Sequence, residues 1–331
     1  MIELTVVIPI HNEAQSLEEL YREMTATLGA WGRTYEIIVV DDGSTDDSFE
    51  ILARLQSMDP RLRVIRLRRN FGQTAAFAAG FEYARGRYIA TSDGDLQNDP
   101  RDIPAMVDAI ERGADVVCGW RKERKDPFYS RRLPSMMANT LISLVTGVSL
   151  HDYGCSLKVF RAEIVKGMRL YGEMHRFLPA IASEQTSSIV ERAVNHRPRK
   201  YGHSKYGIGR TIRVVLDLLT VKFLLQYATR PLHIFGLVGG AMALAGFLIN
   251  SWLAYGRLVG GHSLADRPLL LLGIVLIFTG VQLVTVGLLA EMQARTYHES
   301  QNKPTYSIRE IRQSLAENRS PAIARAFGDR P

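Results

Sequence analysis

The chain reads as an α/β domain with a mainly parallel sheet, followed by amphipathic interface segments and a two-helix transmembrane hairpin. Two observations predict this. Through residue 120, short apolar runs alternate with helical patterns, the mark of βα repeats whose sheet is covered on both faces. Beyond residue 230, two long stretches, 231–256 (PLHIFGLVGGAMALAGFLINSWLAYG) and 268–290 (PLLLLGIVLIFTGVQLVTVGLLA), contain no Asp, Glu, Lys or Arg.

The elements follow in order. LTVVIPI (4–10) is a buried-strand run, and Asn12-Glu13 leads into a helical pattern from about residue 16 to 28. YEIIVVDD (35–42) is a second strand, with Ser44 or Thr45 able to cap a helix ending near Met58. LRVIRL (62–67) is a third strand, and residues 72–84 read as a helix with small residues on one face. RYIATSD (87–93) is a fourth strand, residues 104–112 a helix, and ADVVCGW (114–120) a fifth strand. RKERKDPFYSRR (121–132) suits a basic mobile loop, and residues 133–146 are amphipathic enough for a membrane surface. Residues 208–226 mix Arg210, Arg213, Asp217 and Lys222 with aliphatics, as an interfacial helix would. The tail beyond Glu291 is polar, basic and without clear periodicity, which predicts partial disorder.

Both uncharged stretches exceed the roughly 20 residues needed to cross a hydrocarbon core. The average hydropathy of −0.04 conceals them. The loop between them holds Arg257, Asp266 and Arg267, whereas the outer flanks carry Arg210, Arg213, Lys222 and Arg230 on one side and Arg295, Lys303, Arg309 and Arg312 on the other. The positive-inside bias then puts both flanks in the cytoplasm. The domain boundaries expected are a catalytic body 1–207, a juxtamembrane helix 208–230, spans 231–256 and 268–290 around an external loop 257–267, and a cytoplasmic tail 291–331. The first residues, MIELTVVIPIHNE, have no basic n-region, so no cleavable signal peptide is expected.

With 41 Lys+Arg against 34 Asp+Glu the net charge is +7, which favours anionic partners. The basic segments lack the interleaved aromatics of a nucleic-acid module, so nucleic acid is not an expected partner. Cys118 and Cys155 are the only cysteines, which argues against a disulfide framework. His11, His151, His175, His196 and His203 have no zinc-like spacing. Neither a P-loop nor a dinucleotide-binding glycine fingerprint is present.

In parallel sheets ligands bind beyond the carboxyl ends of the strands. The polar residues collect there: Asn12 and Glu13 after the first strand, Asp41 and Asp42 after the second, Asp93 and Asp95 after the fourth, Arg121 after the fifth. Each has a plainer explanation alone. An acidic first turn stabilises any helix, and Asp-Gly-Asp suits any turn. Together the four loops describe a site. Asp93 and Asp95 stand at i and i+2, so in an extended chain their oxygens can share one hard cation, Mg²⁺ or Mn²⁺.

VVIPIHNE (6–13), VVDDGSTDDS (39–48), RNFGQTAAFAAG (69–80), SDGDLQNDP (92–100), GWR (119–121), DYGCSLKVFR (152–161), HRFLP (175–179) and GHSKY (202–206), followed by two spans, resemble the polyprenyl-phosphate glycosyltransferases. These are inverting, GT-A-fold members of glycosyltransferase family two. The resemblance covers almost the whole chain, in order. It departs at Asn98-Asp99-Pro100-Arg101, where two prolines and a glutamate are commoner, and at Met292 and Lys303, where an aromatic and an arginine are more usual. The Gln-x-x-Arg-Trp motif of processive synthases is absent, which argues for one sugar per cycle.

The resemblance implies a nucleotide-sugar site lined by Pro9, Asn12, Glu13, Asp41, Asp42, Asp93, Gln97 and Arg121, with Asp42 a candidate for base or ribose contacts. Asp93 and Asp95 would hold Mg²⁺ or Mn²⁺ against the diphosphate, and Gln97 would sit near the sugar or the metal. Arg121, Arg124, Arg131, Arg176, Arg199 and Lys205 would grip the donor diphosphate and the lipid phosphate; snorkelling toward headgroups is the competing use of each. Catalytic roles fall to Asp95, Arg131, Arg176 and Asp152, the last at the position often assigned to a base. The implied activity moves one sugar from a UDP- or GDP-sugar to a polyprenyl phosphate, such as undecaprenyl phosphate, at the cytoplasmic face of a bacterial-type inner membrane. The spans and tail also offer surfaces for a homo-oligomer. A scaffold with a degenerate transferase domain is disfavoured by the intact acidic residues, and a flippase or channel by spans with almost no polar lining.

Overall fold

The computed structural model describes residues 1–122, 139–140, 142–143, 146–168, 170, 174–198, 200–201, 232–260, 268–300 and 305–313. The basic loop bearing Arg124 and Arg131, the expected interface helix, and Arg199 and Lys205 lie outside them. The chain forms two compact units, Met1–Leu218 with Pro304–Pro331, and Leu219–Lys303.

The first unit begins with β1 (Leu4–Ile10), α1 (Leu17–Trp31), β2 (Tyr35–Asp41), α2 (Ser48–Met58), β3 (Leu62–Leu67), α3 (Gln73–Tyr83), β4 (Tyr88–Thr91), α4 (Asp102–Glu111) and β5 (Val116–Trp120). Then come β6 (Lys158–Arg161), α5 (Ala162–Lys166), a 3-10 turn (Met174–Phe177), α6 (Leu178–Ala182) and β7 (Ile189–Ala193). Among the described residues the sheet has eight strands in the order β7-β5-β6-β4-β1-β2-β3, closed at the β3 edge by β8 (Ile308–Arg312). β1, β2, β3 and β4 run parallel, whereas β6 is antiparallel to both its neighbours.

The central strands β1 and β2 form because β-branched residues dominate them, and both their faces are covered. Every residue of β1 and of β2 is buried. α1 and α2 cover one face through Leu17, Leu20, Met24, Leu28, Phe49, Leu52 and Leu55. α3 covers the other face with alanine and glycine, because it lies close on β1: a Cβ on Gly80 would fall 2.2 Å from a Val7 methyl. Pro9 interrupts no ladder. It faces the β4 side of β1, where pairing has already ended at Val7 and Thr91.

Three features differ from the sequence reading. α2 starts at Ser48, after Ser44 and Thr45, because those two residues are committed elsewhere: the Ser44 hydroxyl accepts the Asn12 N–H at 3.0 Å and the Thr45 N–H donates to Asn12 Oδ1 at 2.8 Å. β6 and β7 follow from long-range pairing, with β6 inserted between β4 and β5. Finally, part of the tail is a strand. Ile308–Arg312 pairs antiparallel with β3, fastened by Tyr306 to Glu82, by the Arg68 N–H to Ser307 O at 2.9 Å, and by Arg63 to Gln313.

The second unit contains α7 (Leu232–Gly260) and α8 (Pro268–Ser300), which pack on each other as a hairpin. Both are long and apolar enough to cross a membrane, over Phe235–Val259 and Pro268–Leu289. The helices touch where Gly239 meets Gly280 and Gly246 meets Gly273; a Cβ on Gly246 would lie 2.4 Å from the Gly273 carbonyl oxygen. α7 carries Arg257, assigned to the loop by sequence, and α8 continues ten residues past Ala290 to Ser300.

Candidate active site

The carboxyl edge of the sheet gathers the residues expected there, and each loop is tied to the next. After β1 the chain turns at Asn12, whose φ of 58° is left-handed. Glu13 is held through its own N–H, which donates to Ser48 Oγ at 3.0 Å. After β2, Asp41 is fully buried; its Oδ1 accepts the Ser44 N–H at 2.8 Å, and Arg66 lies 3.6 Å from Oδ2. Asp42 spends both oxygens on amides, accepting from Phe71 N at 2.7 Å and from Gly72 N at 2.9 Å. Burial nevertheless raises its pKa, those amides opposing. In this arrangement Asp42 is a clamp on the turn before α3. Gly43 lets the two turns meet: a Cβ there would fall 2.5 Å from the Arg69 backbone.

The acidic loop after β4 is equally constrained. Ser16, at the start of α1, donates its hydroxyl to the Gly94 carbonyl at 2.7 Å. Gly94 must be glycine, since a Cβ would sit 2.8 Å from an Ile10 methyl. Leu96 turns the chain with a φ of 63° and is buried among apolar residues. Asp95 is 8% exposed and its Oδ1 accepts the Gln97 N–H at 3.2 Å. Asp93 is half-buried, and its Oδ1 accepts from Gln73 Nε2 at 2.8 Å. Burial and then the neighbouring charge of Asp95 raise its pKa, against the Ser156 hydroxyl, Lys158 and Gln73. Two carboxylates this close, oxygen donors both, fit a hard divalent cation that would relieve their repulsion. Among the described residues no group of three His, Cys, Asp or Glu converges on such a point. A metal here would take its remaining ligands from a bound phosphate or from water.

The strand β5 delivers Arg121. Its guanidinium grips Asp152 by two parallel bonds, Nε to Oδ2 at 2.7 Å and Nη2 to Oδ1 at 2.8 Å. Burial works against the guanidinium's charge, but Asp152, with Asp93 further off, raises its pKa on balance. Asp152 is itself 3% exposed and pinned from behind, because Glu191 on β7 accepts the backbone N–H of His151 at 2.8 Å and of Asp152 at 3.1 Å. Lys158, 2% exposed, directs its ammonium at the carbonyls of Tyr153 and Cys155 and so fixes the same segment. Ser156 accepts a bond from Asn98 at 2.7 Å, which joins that segment to the acidic loop.

Gln97 lies between the acidic loop and residues 195–198: Arg197 N–H donates to its carbonyl at 2.9 Å, and its side-chain amide donates to the Arg197 carbonyl at 3.3 Å. Asp99 fastens the same crossing, accepting from Arg101, Asn195 and Arg197. Arg176 sits in the 3-10 turn beside His175, which bonds Thr74 at 2.9 Å near the start of α3. Sequence reasoning passed over Gln73, Ser156, Lys158 and Glu191. One signal was available: Lys158 stands in the apolar run Leu157–Phe160, where a charge needs a reason.

The comparisons with known proteins agree with this geometry. The profile of Glycosyl transferase family 2 matches residues 5–169. A dodecaprenyl-phosphate galacturonate synthase of Rhizobium johnstonii is 49% identical over 94% of this chain and 93% of its own. An undecaprenyl-phosphate 4-deoxy-4-formamido-L-arabinose transferase of Pseudomonas aeruginosa is 40% identical over 98% of this chain and 94% of its own. Among solved structures, glucosyl-3-phosphoglycerate synthase from Mycobacterium tuberculosis, in complex with Mn²⁺ and UDP-glucose, superposes with a TM-score of 0.54 at 18% identity, over 67% of this chain and 79% of that one. The fold is therefore GT-A-like, and the chain belongs to glycosyl transferase family 2 as one of its polyprenyl-phosphate glycosyltransferases.

Proposed function

We propose that this enzyme transfers a single galacturonosyl residue from a UDP-linked donor to undecaprenyl phosphate or a related polyprenyl phosphate, with Mg²⁺ or Mn²⁺, at the cytoplasmic face of the inner membrane. The observation that carries the reading is the junction at the carboxyl edge of the sheet, where the acidic pair Asp93/Asp95 meets the segment 152–156: Asn98 bonds Ser156 there, Arg121 grips Asp152, and Arg121 feels the charge of Asp93. The galacturonate synthase relative supports the sugar, and the UDP complex of the structural neighbour supports the nucleotide. The two long apolar helices support anchoring of the enzyme where an isoprenoid acceptor must stay.

Asp93 and Asp95 would hold the cation, which supplies positive charge to the departing diphosphate. Asn12, Glu13 and the Asp41–Ser44 turn would shape the nucleotide end. Arg121 would meet the diphosphate or the lipid phosphate, its angle set by Asp152 and Glu191. In-line attack by a phosphate oxygen at the anomeric carbon forms the new C–O bond as the bond to the diphosphate breaks, so an α-linked donor yields a β-linked lipid. The nucleophile needs little help: a phosphate monoester has a second pKa of about 6 and is ionised at neutral pH. Asp152, already paired with Arg121, therefore serves as a positioning group and not as the base.

The test is a panel of labelled nucleotide sugars, incubated with undecaprenyl and dodecaprenyl phosphates and the full-length protein in detergent. UDP-galacturonate with Mn²⁺ should give a labelled lipid and free UDP. Transfer of a different sugar overturns the donor assignment, and no transfer of any sugar overturns the reading.

A further inference from the structure

Resting on the metal-dependent reading above, we propose that Gln73 is a positioning residue that aims the Asp93 carboxylate at the divalent cation, and that Asp42 sets Gln73 through the turn between them. The chain of contacts is short and closed. Both Asp42 oxygens accept backbone amides, of Phe71 at 2.7 Å and of Gly72 at 2.9 Å. That turn can form because Gly72 has a φ of 94°, in the region that favours glycine. It releases the chain directly into α3, whose first residue is Gln73. The Gln73 amide then donates to Asp93 Oδ1 at 2.8 Å.

The chemistry suits the purpose. A carboxylate free to rotate presents its oxygens to a cation only part of the time, and outer partners that stop the rotation govern metal affinity. Glutamine gives a hydrogen bond without a charge, so it adds nothing to the positive charge that Lys158 already sets beside Asp93; a lysine here would cancel more of the pair's attraction for the cation. Ser156 serves the same carboxyl from the opposite segment. Asp42, two strands away from Asp93 in the sheet, thereby acts at the metal position without touching it.

The test measures Mn²⁺ uptake directly, by the electron paramagnetic resonance of free Mn²⁺, with the full-length protein in detergent and saturating UDP. Gln73→Met keeps the length and loses the donor; it should raise the Mn²⁺ dissociation constant by about 10-fold or more. Gln73→Ala should do the same. UDP binding without Mn²⁺ should not change. Asp42→Asn should weaken Mn²⁺ in the same direction, and the double variant should be no weaker than Gln73→Met alone, because both act on one contact. Mn²⁺ affinity indistinguishable from wild type in both Gln73 variants would overturn the proposal. Additive losses in the double variant would overturn the Asp42 link. If the wild-type protein took up no Mn²⁺ with UDP, the metal-dependent reading would fall, and this inference with it.

Discussion

The two sides of the site solve the same problem, a buried carboxylate, in opposite ways. On the β1–β2 side the carboxylates are solvated mainly by amides: Asp41 accepts from Ser44, with Arg66 3.6 Å from its other oxygen, Asp42 from Phe71 and Gly72, and Asp46 from Ala14 and Ser48. On the β5–β7 side they are paired with side chains that carry or can acquire positive charge: Asp152 with Arg121, Glu191 with His151, and Asp99 with Arg101 and Arg197. Amides stabilise a negative charge without cancelling it, whereas an arginine cancels it. The first side thus stays electronegative at its rim, next to Asp93 and Asp95. The second is locally neutral and presents guanidinium edges. Under the proposed function a cation would belong to the first side and a phosphate to the second.

The largest effect should come from breaking the electronegative side at its centre. Asp95→Ala removes a buried carboxylate from the acidic pair and should abolish metal-dependent transfer, while circular dichroism and recovery in the membrane fraction stay as in wild type. Full activity in this variant would return the acidic loop to the status of an ordinary turn.

Breaking the paired side should cost less, and differently. Asp152→Asn keeps the shape and leaves Arg121 without its counter-charge, so turnover should fall by about 10²-fold, the size of the loss from a misplaced group at the reacting centre. The pH profile sharpens the comparison. A positioning role predicts that the loss is the same at pH 6.5 and pH 8.5, because the lipid phosphate is the nucleophile at both. A loss recovered at high pH would restore Asp152 as a general base.

The same contrast explains how much was legible in the sequence. The acidic residues of β1, β2 and β4 sit where βα repeats end, so the strand pattern placed them at one edge before any contact was known. β1 and β3 appear with the boundaries read from their apolar runs. The paired side depends on partners far apart in the chain, Arg121 with Asp152 and Asp99 with Arg197, and periodicity carries no trace of such pairs. β6 is only four residues long and antiparallel, and β7 is mostly exposed, so neither announces itself as a strand. β8 was hidden for a different reason. Its sequence, Ile308-Arg309-Glu310-Ile311-Arg312, has no apolar alternation and is too polar to read as core, because an edge strand needs backbone pairing more than burial.

The smallest of the three effects tests whether ion pairs hold the paired side in place. Asp99 is 2% exposed and accepts from Arg101, Asn195 and Arg197, which ties residues 195–198 to the loop that follows Asp95. Asp99→Asn should cost about 2 kcal/mol, the scale of hydrogen bonds to charged groups; Arg101 adds little because it is largely exposed. Burial opposes the Asp99 charge, but the Arg101, Asn195 and Arg197 bonds win and hold its pKa below the ordinary 3.8. A carboxyl depressed in the folded state stabilises the fold above its unfolded pKa, and that contribution is lost as pH falls through the folded value. The difference in thermal midpoint between wild type and Asp99→Asn should therefore be constant at neutral pH and shrink only below 3.8. A difference that already fades between pH 7 and pH 5 would mean that another group, and not the Asp99 carboxylate, fastens this crossing.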